Sequence, residues 1–141
     1  MSVIEFGLIA PILAFTVMGI VDCANGFARK YKIEQATYRT LEMVTGSRNT
    51  VSTADLRSGA ASAAGEPEAN VAIDTWLECD SVKAPAATLN CTATQQTARF
   101  VQVTIFSDFQ PSFSYGPLGT AFGANSKGTV RLTARSTVRV Q

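Results

Sequence analysis

Asp74, Glu78 and Asp80 are the acids whose spacing could do chemistry, because even intervals along an extended chain set them on one face of a strand. Carboxylates gathered this way can exchange protons or hold a cation; the same spacing also describes a solvated sheet edge. The other reactive groups are three thiols, Cys23, Cys79 and Cys91. Histidine is absent from the chain, which removes Ser-His-Asp and Cys-His arrangements. No Cys-x-x-Cys spacing supports zinc, and neither a phosphate-binding loop nor a dinucleotide fingerprint occurs. No enzyme activity, cofactor or metal is expected. Lysine plus arginine number 12 against 11 acids, so no bulk charge attracts a nucleic acid, and none is expected as a partner.

Glu5 poses a different problem. It is followed by FGLIAPILAFTVMGIV, Phe6 to Val21, without a charge. Sixteen residues fall short of the ~20 that cross a bilayer as a helix, whereas the 21 from Met1 reach roughly 31 Å at ~1.5 Å per residue. The stretch therefore spans if Glu5 lies near one membrane face. An ionisable group there is a functional-site hypothesis by default; the alternative is an ordinary anchor tolerating an acid near its end. A cleaved secretory signal fits poorly, since no basic stretch precedes the apolar run.

Eleven residues separate Cys79 from Cys91, and the two are expected to form a disulfide in an oxidising compartment, with two buried thiols as the alternative. Cys23 reads as a small apolar residue in a helix. Arg29, Lys30 and Lys32 follow the apolar run and would keep that side cytoplasmic. A disulfide-bonded domain must lie outside, and a removed basic leader ahead of Met1 would reconcile the two.

The helical pattern continues past Val21. Phe27, Tyr31, Tyr38 and Leu41 trace one face, and Ile33, Ala36, Thr37, Thr40 and Val44 a neighbouring one. One helix of about 45 residues is predicted, apolar all round at first and amphipathic later, with Gly46 as its left-handed stop. Pro11 removes one donor within it, producing either a simple kink or a weak point at which the helix bends during packing. A short helix follows over Thr53–Ala64, capped by Ser52 and closed by Gly65-Glu66-Pro67. Four strands are predicted: Asn70–Cys79, a weak one through Leu89, Cys91 and Ala93, Phe100–Phe109, and Thr129–Gln141. The disulfide would then bridge adjacent strands. On the last strand Val130, Leu132, Ala134, Val138 and Val140 alternate with Arg131, Arg135 and Arg139, either a stripe paired with acids such as Asp74 and Asp108 or a polyanion-binding surface. Between the last two strands, Phe113, Tyr115, Leu118 and Phe122 lie in a long glycine- and proline-rich loop that covers the core edge or long helix, or contacts another subunit. Asn90-Cys91-Thr92 matches the glycosylation sequon, a pattern frequent by chance.

The expected fold is α+β: residues 1–46 form a long helix, with 1–21 its membrane and assembly segment and 22–46 amphipathic. Residues 47–141 form a head with a short helix, a small, mostly antiparallel four-stranded sheet and a disulfide.

Glu5-Phe6, Pro11 within the aliphatic run, Gly19-Ile20-Val21, Arg29-Lys30 and Gln35-Ala36 together resemble the N-terminus of type IV pilin-like proteins, most closely the TadE-like pseudopilins of the tight-adherence (Tad) pilus. The resemblance covers about the first 45 residues. It extends more loosely to the cysteine pair, Val101-x-Val103 and the terminal VRVQ. It implies cutting before Met1 by a prepilin peptidase. It also implies anchorage in a bacterial inner membrane with a periplasmic head, then polymerisation through the N-terminal helix into an extracellular pilus that supports surface adherence.

Met1, Glu5, Phe6 and Pro11 would serve assembly, with Glu5 meeting the α-amine of its own or an adjacent subunit. The implied partners are other pilin copies or related pilins, the peptidase, the assembly platform with its ATPase, and membrane lipid before assembly. A main filament subunit is favoured; a minor tip or priming subunit, or a non-polymerising single-pass envelope binding protein, is the alternative. Electron microscopy separates these, because the last predicts no fibres.

Overall fold

A computed structural model describes residues 3–46, 52–85, 90–113, 116–121 and 123–140, with the side chains of residues 3–5, 117 and 118 excepted. The fold is α+β: a long N-terminal helix, a shorter helix and a curled antiparallel sheet. Helix α1 spans Val3–Gly46, a run of 44 residues that passes through Pro11 without a break. Membrane helices accept such a proline when the freed carbonyl finds another partner. Gly46 is the last helical residue and does not take the left-handed conformation, which occurs instead at Gly65.

Helix α2 spans Thr53–Ala64. The Ser52 hydroxyl accepts from the Asp55 N–H at 3.1 Å and so satisfies one of the orphan donors at a helix start. Gly65, at φ 68°, ends it by donating its N–H back to the last turn. A Cβ at Gly65 would meet Lys32 Nζ at 2.7 Å, so the position is restricted by both backbone and packing.

One turn of 3-10 helix over Glu68–Asn70 leads into strand β1, Val71–Cys79. Strand β2 is Val82–Lys83, β3 is Thr97–Phe109 and β4 is Val130–Arg139, in the spatial order β2-β1-β3-β4. Antiparallel pairing of β1 with β3 runs from Val71 opposite Ile105 to Cys79 opposite Thr97.

The second strand is not where alternation predicted it: Cys91 and Ala93 are irregular, and Leu89 lies outside the described residues. Asp80 and Ser81 both adopt positive φ, 53° and 66°, which closes a two-residue hairpin and folds Val82–Lys83 directly back on Cys79 and Glu78. Residues 90–96 are irregular, held by the Asp80 N–H to the Gln96 carbonyl and the Gln96 N–H to Asp80 Oδ1. The Cys79–Cys91 disulfide is present, with Cα atoms 5.6 Å apart, but it ties a strand end to a loop rather than two adjacent strands. The long connection before β4 is also not wholly irregular, since Pro117–Ala121 forms a short helix, α3.

The chain divides into two compact units, Met1–Lys30 with Asp108–Leu132, and Tyr31–Ser107 with Thr133–Gln141. The second unit holds the larger core. Val44 of α1, Leu56 of α2 and Val101 of β3 meet there, with Ile73, Val138 and Val140 packed around them. Ile33, Ala36, Leu41, Val103 and Ile105 are buried as well. Thr37 and Thr40 enter this apolar surface because their hydroxyls donate to the Glu34 and Ala36 carbonyls of their own helix, at 2.7 and 2.8 Å. Ser107, fully buried, donates to Glu66 Oε1 at 2.7 Å and so links the end of α2 to β3.

Candidate assembly and membrane surface

The apolar half of α1 has almost no intramolecular cover. Phe6 is 73% exposed and Phe15 likewise, and Leu8, Ile12, Leu13, Val17 and Ile20 are all open. A helix long and apolar enough to cross a membrane belongs either inside a soluble core or in lipid or protein surroundings; here 6% of its apolar window is buried. That near absence of burial makes α1 a candidate membrane anchor. Cys23, just past the apolar run, is an exposed free thiol.

The two faces expected beyond Val21 separate in the structure except at Leu41, which was expected beside Phe27, Tyr31 and Tyr38 but is buried with the other face. Ile33, Ala36, Thr37, Thr40, Leu41 and Val44 form the buried face, whereas Phe27, Tyr31 and Tyr38 are exposed. These three aromatics continue the apolar surface of Phe6–Val21 along the helix, at spacings of four and seven residues.

Asp22 is a residue that sequence reasoning passed over. It follows the apolar run directly, yet it is only 5% exposed. Its Oδ1 accepts from the Ser112 N–H at 2.9 Å and its Oδ2 from the Phe113 N–H at 3.4 Å. A buried carboxylate is costly unless hydrogen-bonded, and two backbone donors provide that compensation. One turn further, the Phe109 ring approaches Gly26, and a Cβ placed there would lie 3.5 Å from Cε1. The lone glycine of the 22–45 stretch thus marks a close approach. The signal in the sequence was an acid at the edge of an uncharged run with glycine four residues on, one turn along the same face.

The other expected site residues scatter. Phe6 and Pro11 lie exposed on α1, and the backbone of Glu5 is helical. Phe113, whose N–H donates to Asp22, leaves its side chain 42% exposed. Met1, Tyr115 and Phe122 lie outside the described residues, as do the side chains of Glu5 and Leu118. Arg131, Arg135 and Arg139 are exposed along β4, and Arg139 Nη2 donates to the Thr97 carbonyl at 3.4 Å.

The three acids do not converge. Asp74 is exposed, Glu78 accepts from Trp76 Nε1 at 2.9 Å, and Asp80 serves its turn. Trp76 also stacks on Phe100 with centroids 5.3 Å apart, and Lys83 Nζ stands 5.0 Å from its ring centre. This rib runs across β2, β1 and β3 on one face of the sheet. Asn90 Oδ1 accepts from Arg99 Nη2 at 3.2 Å.

Fold and surface together define an α+β protein with a disulfide and a candidate membrane anchor. No family model, curated protein or solved structure matches the chain.

Proposed function

We propose that this chain is a structural pilin or pseudopilin subunit of a Tad or type IV-like pilus. It is held in the inner membrane by α1, with its disulfide-bonded head in the periplasm, and polymerises through that helix into a filament that supports adherence. The observation that carries the reading is Glu5-Phe6 at the head of a 44-residue helix whose N-terminal half exposes Phe6, Leu8, Ile12, Leu13, Phe15, Val17 and Ile20. Such a surface needs lipid before assembly and neighbouring helices after it. Removed from water among packed helices, the Glu5 carboxylate requires a cation, and that pairing sets axial register more than it adds stability.

The test is Glu5→Ala in cells that make the protein. Filaments seen by electron microscopy should be lost or sparse, while alkaline extraction still leaves the subunit in the membrane fraction. Normal filaments from this variant would contradict the proposal.

A further inference from the structure

From Phe109 to Ser126 the chain has no charged side chain, and it carries Phe109, Phe113, Tyr115, Leu118 and Phe122. The start of this stretch docks on α1 at Asp22, whose carboxylate receives the N–H groups of Ser112 and Phe113. Asp22 is also the first charged residue after Phe6–Val21. Whatever depth the end of the apolar run occupies, residues 112 and 113 share it to within about one helical turn, ~5 Å.

Two further observations point the same way. Met18 and Gly19, one turn back inside the apolar run, are half-buried where their neighbours are exposed, so cover reaches into the run itself. Phe113 leaves 42% of its surface open at this level. Free amide groups are expensive near hydrocarbon. Asp22 satisfies two of them and is itself enclosed by protein, which lets this backbone approach lipid. An uncharged, aromatic-rich segment at the boundary between acyl chains and headgroups has the composition of an interfacial contact.

We infer that the chain just after β3, at Ser112 and Phe113, rests in the lipid interface with Phe113 entering it, so that the subunit holds the bilayer by α1 and by this contact together. The inference rests on Phe6–Val21 spanning the membrane, which places Asp22 at its edge. It names a lipid surface as the partner of Phe113.

The test uses the full chain in phosphatidylethanolamine–phosphatidylglycerol vesicles at low protein-to-lipid ratio. Cys23→Ser supplies a background in which a nitroxide is attached to Phe113→Cys, Phe15→Cys or Arg135→Cys, one at a time. Accessibility to oxygen, which concentrates in lipid, is compared with accessibility to a water-soluble nickel complex. The label at 113 is expected to be richer in oxygen contact and poorer in nickel contact than that at 135, and to lie between 135 and 15. A label at 113 matching 135, with 15 deep in lipid, overturns the interfacial contact and leaves the span standing. A water-accessible label at 15 overturns both. Nickel protection at 113 that develops only as the protein-to-lipid ratio rises assigns Phe113 to a second copy and overturns the lipid assignment.

Discussion

Asp22 ties the chain after β3 to α1 through one carboxylate. Asp22→Ala leaves the Ser112 and Phe113 N–H groups without their acceptor, and hydrogen bonds to a charged group are worth about 1.5–3 kcal/mol. A loss of that order is expected in denaturant titrations of detergent-solubilised protein followed by near-UV circular dichroism. Asp22→Asn should lose a similar amount, because its NH₂ group would face a second donor. Thr104 predicts the opposite sign. It is 2% exposed, and its Oγ1 finds no partner among the described residues. Thr104→Val keeps the shape and removes a desolvated hydroxyl, so the same titration should show a gain of about 1 kcal/mol.

Capping and turn chemistry decide where the elements begin and end. Ser52→Ala removes the cap of α2 and is expected to cost about 1 kcal/mol, read as a lower denaturation midpoint at unchanged slope. The disulfide acts on the same scale. Cys79 and Cys91 are 12 residues apart in sequence, and releasing a loop of that size costs roughly 3 kcal/mol in the chain-entropy description. Titration with and without reductant checks this. Because Cys91 lies in irregular chain outside the β ladder, reduction should loosen residues 90–96 first, seen as faster amide exchange there while β1 and β3 stay protected.

For the whole molecule, the decisive quantity is apolar surface that the chain itself does not cover. Leu13 lies in the middle of the exposed apolar run, and an aspartate at the centre of a spanning helix is disfavoured by about 2.5–3.5 kcal/mol on insertion scales. Leu13→Asp should therefore shift the protein from the membrane to the soluble or degraded fraction in alkaline extraction. Glu5→Ala should instead spare insertion and abolish filaments. The contrast between the two variants separates anchoring from assembly.

Much was legible because local rules and burial agreed. The uncharged run and the 3.6-residue period marked α1, Ser52 and Gly65 marked the ends of α2, and strict alternation marked β4, whose valines and arginines take the sides the pattern assigned. Patterning alone could not choose which of two adjacent apolar faces of α1 would be buried, since Phe27 and Ile33 are equally apolar and only the position of the sheet and α2 decides. Nor could it find β2, because Asp80-Ser81 lacks the glycine that usually announces such a turn; pairing across the hairpin holds both residues at positive φ. Asp22 was passed over because its donors, the N–H groups of Ser112 and Phe113, lie 90 and 91 residues further along the chain. Sequence by itself determined α1, α2, β1, β3 and β4 and marked the candidate anchor, for these depend on neighbours within a turn or two. Tertiary structure decided which faces close and which acid is buried, because both depend on groups brought together from distant parts of the chain.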